Sequence, residues 1–133
     1  MSEFYKQEFC EANQKYSVII EDDDRVAYAY LLCEREIIGD VWLYNKISTP
    51  ATANWKDFNE IPFLNPKEFE YEKIAPILIN DKLDIEWELT PEMDLLRAKI
   101  YIRLKLIAIL APNFKPGWSC IVTKDGPLAL KYE

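Results

Sequence analysis

From Leu83 to Leu110 the chain alternates with a period of two, and no other feature of the sequence restricts its fold as strongly. "LDIEWELT" sets Leu83, Ile85, Trp87 and Leu89 against Asp84, Glu86 and Glu88. "RAKIYIRLKLIAIL" continues the pattern, with Lys or Arg at Arg97, Lys99, Arg103 and Lys105. Residues i and i+2 share one face of a strand but not of a helix, so each stretch is predicted to be a β-strand with one buried and one solvated face. Thr90, Pro91 and Glu92 also carry a helix-start signal, which the long alternation outweighs. With residues 91–94 as the connecting loop, Thr90 lies opposite Leu95 and a single register satisfies both faces. Glu88 then meets Arg97 and Glu86 meets Lys99 on the solvated side. Leu89 meets Leu96, Trp87 meets Ala98, Ile85 meets Ile100 and Leu83 meets Ile102 on the other. The cations are expected to pair with the acids of the preceding strand, leaving little free charge for nucleic acid.

The rest of the chain reads as β-structure with breaks. "EFYKQEFCEAN" places Phe4, Tyr5, Phe9 and Ala12 near helical spacing, which predicts a short N-terminal helix or an ordered arm. Residues 15–22 and 25–33 are two β-rich runs joined at Asp23 and Asp24, the pattern of a hairpin. "IIGDVWLYN" follows the charged tripeptide Glu34-Arg35-Glu36 and makes a three-stranded meander, with Gly39 marking a bulge or a close backbone approach. Residues 46–72 are broken by Pro50, Pro62 and Pro66 and carry Trp55, Phe58, Phe63, Phe69 and Tyr71. A connection of that length is a binding loop or a segment whose aromatics cap the sheet. After "APNFKPGWS", the pair Asp125-Gly126 is expected to turn the chain between two short strands. The expected fold is a mainly β single domain over residues 1–133. Its architecture is an antiparallel β-sandwich or open barrel of about seven or eight strands with a long irregular loop.

Several chemistries have no residues to carry them. The 133-residue chain contains no His, which removes the Ser/His/Asp and Cys/His catalytic arrangements and most zinc catalysis. Gly39, Gly117 and Gly126 are its only glycines, so neither a phosphate-binding loop nor a dinucleotide fingerprint can be written. Asp22-Asp23-Asp24 lacks the spacing of a calcium loop and fits a turn better. Asp40, among apolar residues, and Cys120, beside Ser119, are the remaining candidates for catalysis; neither has an evident catalytic partner. No enzyme, cofactor or metal is expected. There is no apolar run of membrane-spanning length and no signal-peptide pattern. Cys10, Cys33 and Cys120 are odd in number and scattered, so a cytoplasmic location is expected.

Two stretches, "GDVWLYN" at residues 39–45 and "LAPNFKPGWSCIVTKDGPLA" at residues 110–129, together resemble a family of small uncharacterised bacterial proteins. The style of the chain, short, acidic, aromatic-rich and poor in cysteine, is similar to immunity proteins that neutralise secreted bacterial toxins. The resemblance implies a bacterial origin and a binding role, and supplies no site residues.

Charge supports the same expectation. The net charge is −7, and residues 1–80 hold fifteen acids against eight bases while residues 81–133 balance at eight each. Such a field repels nucleic acid and steers basic proteins. The candidate partner-binding residues are therefore Asp22, Asp23, Asp24, Glu34 and Glu36 for charge, with Trp42, Tyr44, Trp55 and Phe58 as aromatic anchors. Trp42 on a strand reads more readily as core than as interface and the acidic turn more readily as a solvated one, while Trp55 reads about equally as either. The alternative function is a small-ligand carrier or enzyme with an apolar cavity lined by Asp40, Trp42 and Tyr44. A third possibility is a homo-oligomer whose exposed aromatics bury against a second copy.

Overall fold

The computed structural model describes residues 4–47 and 63–132. Its first sheet is an antiparallel meander of β1 (Phe4–Phe9), β2 (Tyr16–Asp22), β3 (Val26–Cys33) and β4 (Glu36–Asn45). β1 stands where the helical spacing predicted a helix. Pairing from Phe4↔Asp22 to Phe9↔Ser17 gives its backbone sheet partners, and this outweighs the helical spacing of three aromatics, of which Tyr5 and Phe9 stay exposed. The expected turn at Asp23-Asp24 joins β2 to β3, with Asp24 at φ 74°, a conformation Asp tolerates better than most residues.

β4 carries two bulges. Leu31 pairs Gly39 and Leu32 pairs Ile37, so Ile38 is extra; Ala27 pairs Tyr44 and Tyr28 pairs Trp42, so Leu43 is extra. Each bulge reverses the face taken by every residue beyond it. Gly39 fulfils both expectations for it, since it borders a bulge and a Cβ there would lie 3.0 Å from the Ala111 carbonyl oxygen.

The second sheet runs in the order β5 (Leu83–Leu89), β6 (Leu95–Ile102), β7 (Lys105–Leu110), β8 (Trp118–Ser119) and β9 (Leu130–Lys131). Glu88↔Arg97, Trp87↔Ala98, Glu86↔Lys99, Ile85↔Ile100 and Leu83↔Ile102 form in the expected register. Leu89 pairs Leu95 instead of Leu96, because Leu96 bulges out beside a loop in which Thr90 N–H donates to the Asp94 carbonyl at 2.8 Å.

The "RAKIYIRLKLIAIL" stretch is two strands, not one. Arg103 and Leu104 make a two-residue turn with φ of 50° and 70°, an arrangement that usually calls for Asn or Gly. Contacts with the segment before β5 hold it in place. The Arg103 guanidinium donates to the Ala75 carbonyl and to Asp81, each at 2.6 Å, and Arg103 N–H donates to the Lys82 carbonyl at 2.8 Å. A two-residue turn shifts the alternation by one position, and the bulge at Ile107, between Tyr101↔Leu106 and Ile100↔Ala108, shifts it back. The pattern therefore reads as unbroken across a reversal of the chain.

Asp125-Gly126 does not join a hairpin. β8 pairs β9 in parallel, and Val122 bridges antiparallel to Glu70 instead. Gly126 serves there for its size, because a Cβ would lie 2.7 Å from the Phe69 ring. Phe69 belongs to a single 3-10 turn, Lys67–Phe69, and its ring is also met by Lys124. The two sheets meet along the free edge of β4, where Trp42 N–H donates to the Leu128 carbonyl at 3.0 Å and Gly117 N–H to the Asp40 carbonyl at 2.7 Å. Ile20, Leu31, Leu43, Ile100, Ile107 and Ile121 fill the space between them. The result is a small β-sandwich that does not close into a barrel. No helix among the described residues is long and apolar enough to cross a membrane.

Candidate functional site

The acids expected to form one patch are divided between opposite ends of the first sheet. Asp22, Asp23 and Asp24 sit at the β2–β3 turn, Glu34 and Glu36 at the β3–β4 turn, separated by the length of β3, roughly 20–25 Å. The first group is committed internally. Asp22 is 1% exposed; its Oδ2 accepts the Tyr44 hydroxyl at 2.8 Å and lies 3.6 Å from Lys46 Nζ, while its Oδ1 accepts Asp24 N–H at 2.8 Å. Asp23 Oδ1 accepts the N–H groups of Arg25 and Val26, and Asp24 pairs with Lys46 at 2.8 Å. Burial alone would lower the Lys46 pKa, but Asp24 and Asp22 outweigh it and hold the ammonium above its usual range. Asp22 is thus a structural acid, closed off from any partner.

Asp40, Trp42 and Tyr44 do not line a common cavity. Because Leu43 bulges, Trp42 lies with Tyr28 on one face of the sheet and Tyr44 with Ala27 on the other. Both rings are packed, at 0% and 1% exposure, so neither is available as an interface anchor. Their polar atoms are used as well. Trp42 Nε1 donates to Asn45 Oδ1 at 2.9 Å, and Asn45 exchanges hydrogen bonds with the backbone of Asn65. The Tyr44 hydroxyl accepts Ile77 N–H at 2.9 Å, and burial raises its pKa. Asp40 is half-buried; burial raises its carboxyl pKa, with Lys115 acting in the opposite sense. Burial likewise raises the Cys120 thiol, which disfavours the thiolate a nucleophile needs. Trp55 and Phe58 lie outside the described residues. Of the other aromatics in that connection, Phe63 packs against the core while Tyr71 remains exposed.

At the other end of the first sheet the acids are exposed and gather. The Glu34 N–H donates to the Lys15 carbonyl, fastening the β3–β4 turn to the β1–β2 loop. Asn13 Nδ2 donates to the Met93 carbonyl at 2.8 Å, fastening that loop in turn to the β5–β6 loop of the second sheet. The three joined loops carry exposed Glu11, Glu34, Glu36, Glu92 and Asp94 against Lys15 and Arg35, and none of these five acids is in an ion pair among the described residues. Beside them the sandwich opens between β1 and β5 into a cleft of about 570 Å³ lined by Glu8, Phe9, Glu11, Ile85, Trp87 and Leu89. Its floor is the half-buried apolar face of β5, and its rim is acidic.

No family model, curated protein or solved structure matches this chain. The site therefore stands on its own geometry.

The acidic cleft differs from the site the sequence suggested by the inclusion of Glu8, Glu11, Trp87, Glu92 and Asp94. Trp87 carried a signal as the one aromatic of its strand, but its alternation reads as core until β5 is known to be an edge. A second cleft, about 420 Å³, lies over the second sheet and is lined by Leu96, Arg97, Ile109, Phe114, Trp118 and Tyr132, with Glu88 at its margin. Phe114 and Trp118 pack with ring centroids 4.7 Å apart. Arg97 Nε bonds Glu88 at 2.7 Å, and Arg97 and Lys99 hold the Glu88 carboxyl below its usual range. Among the described residues no group of three or more Cys, Asp or Glu is placed to hold a metal ion.

Proposed function

We propose that the protein is a non-enzymatic binding module that captures a basic protein partner, of the kind an immunity protein inhibits, at the acidic loop end of the sandwich. The observation that carries this reading is the junction of Glu11, Glu34, Glu36, Glu92 and Asp94, unpaired among the described residues, with a cleft lined by Ile85, Trp87 and Leu89. An acidic rim accelerates encounter with a basic surface, and a desolvated aromatic floor slows release. The Asp22–Asp24 turn takes no part, because Asp22 and Asp24 share Lys46 and Asp23 accepts the Arg25 and Val26 N–H groups.

Affinity capture from the native cell lysate at low and at high salt tests the proposal, with three baits compared by mass spectrometry. The native chain and an Asp23→Lys bait should retain the same basic protein in stoichiometric amount at low salt. A Glu34→Lys/Glu36→Lys bait should lose it, as should the native chain at high salt. Retention indifferent to both salt and the Glu34/Glu36 reversal defeats the reading.

The small-ligand alternative draws support from one feature, the aromatic cleft of Phe114, Trp118 and Tyr132, and not from Asp40, Trp42 and Tyr44. A cleft of a few hundred Å³ with aromatic walls and few polar groups fits a flat organic ligand. A salt-insensitive rise in melting temperature with such ligands, abolished by Trp118→Ala, would favour it.

A further inference from the structure

Among the described residues β1 ends its sheet, pairing with β2 alone. Just beyond it the Cys10 N–H donates across to the Tyr16 carbonyl at 3.0 Å. Backbone groups alternate sides along a strand, so even-numbered positions of β1 bond β2, and the N–H and C=O of Tyr5, Gln7 and Phe9 point outward. That free edge is bordered by two exposed aromatics, Tyr5 at 62% and Phe9 at 51%. An open edge of this kind is a template for another strand, and proteins commonly blunt it with an isolated charge.

The charges on β1 are arranged differently. The sequence Tyr5-Lys6-Gln7-Glu8-Phe9 is self-complementary about its centre when laid antiparallel on a copy of itself. Gln7 falls opposite Gln7, Lys6 opposite Glu8 and Tyr5 opposite Phe9, each on the face it already occupies. Opposite charges and aromatic pairs directly across an antiparallel ladder are the favourable cross-strand combinations. The central Gln7 pair, with its backbone groups facing outward, is a hydrogen-bonded position of that ladder. Gln7 Nε2 donates to Ser17 Oγ at 3.1 Å, which draws the amide side chain back over β2 and away from the edge.

We propose that β1 pairs antiparallel with β1 of a second copy about a two-fold axis through Gln7, joining two four-stranded sheets into one of eight strands. The contact is isologous, so each Lys6–Glu8 pair occurs twice. A single six-residue strand pair is small for a stable interface, so the dimer is weak and depends on concentration. It does not depend on the binding role proposed above.

Sedimentation equilibrium from the micromolar to the millimolar range at low salt tests this. The weight-average mass of the native chain should climb from 15.7 kDa toward twice that value. Lys6→Glu and Glu8→Lys each place like charges opposite one another and should weaken association by about tenfold or more. An equimolar mixture of those two variants should associate again. In the mixed pair the acid introduced at position 6 of one chain faces the base introduced at position 8 of the other, and the native Glu8 of the first faces the native Lys6 of the second. Gln7→Pro, which removes the central outward donor and, of the bonds to β2, only the side-chain bond to Ser17, should also prevent association. The inference is overturned by a native chain that stays monomeric throughout, by charge variants that dimerise like the native chain, or by a mixture that fails to recover.

Discussion

The two ends of the first sheet carry carboxylates within fifteen residues of one another, yet their surroundings are opposite. At the β2–β3 turn Asp22 is sealed beneath Tyr44 and Lys46, and the charge is a construction element. At the β3–β4 turn Glu34 and Glu36 project into solvent beside Glu11, Glu92 and Asp94, and among the described residues no cation pairs with them. A desolvated carboxylate must be compensated within the fold, whereas an exposed one stays available to a partner. Acidity read along the chain cannot separate the two cases.

Four measurements break or sharpen this contrast. The largest effect is expected at Asp22→Ala, which leaves the Tyr44 hydroxyl without its acceptor and Lys46 without its buried counter-charge; denaturant unfolding should show a loss of about 3–5 kcal/mol. A loss below about 1 kcal/mol would erase the distinction between the two ends. Lys46→Met should cost less, about 1–2 kcal/mol, because Asp22 keeps two hydrogen bonds. Lys46 also has a sign-definite pH signature. Its folded pKa lies above the unfolded value, so its contribution is complete below the ordinary lysine range and disappears as pH rises through the folded value. The alkaline limb of the stability profile should flatten in Lys46→Met.

At the opposite end, Glu34→Lys/Glu36→Lys should change stability by no more than about 0.5 kcal/mol per site while abolishing capture of a basic partner. Destabilisation comparable to Asp22→Ala would show that these acids too are structural. The smallest effect belongs to Glu88, whose carboxyl is held low first by the Arg97 hydrogen bond and then by Lys99. Its contribution is present above the ordinary glutamate range and fades as pH falls through the depressed folded value. Glu88→Gln should therefore lower neutral-pH stability slightly, leave stability below the depressed value unchanged, and so flatten the acid limb.

The hairpin of β5 and β6 was legible almost residue by residue, because an exposed charged face and an apolar face leave only one register that suits both. The β2–β3 turn was legible as well, since Asp23 and Asp24 supply the local geometry themselves. The reversal at Arg103-Leu104 was hidden: it uses residues with no turn preference, held by Ala75 and Asp81 from a distant segment, and the Ile107 bulge restores the alternation it breaks. β1 was hidden for a related reason, in that an edge strand bonded on one side needs neither a clean pattern nor deep burial.

The candidate site was the least legible part. Local composition could nominate acids and aromatics, but which acids face solvent is settled by the three loops that Asn13 and Glu34 fasten together across two sheets. The Leu43 bulge likewise decides that Trp42 and Tyr44 point to opposite faces. Alternation, turn chemistry and excluded catalytic residues are short-range properties, and the chain carries them whether or not it is folded. Burial, edge position and the choice of counter-charge arise only when segments far apart in sequence are brought together, and in this protein they separate the acids buried in the fold from those left exposed at its surface.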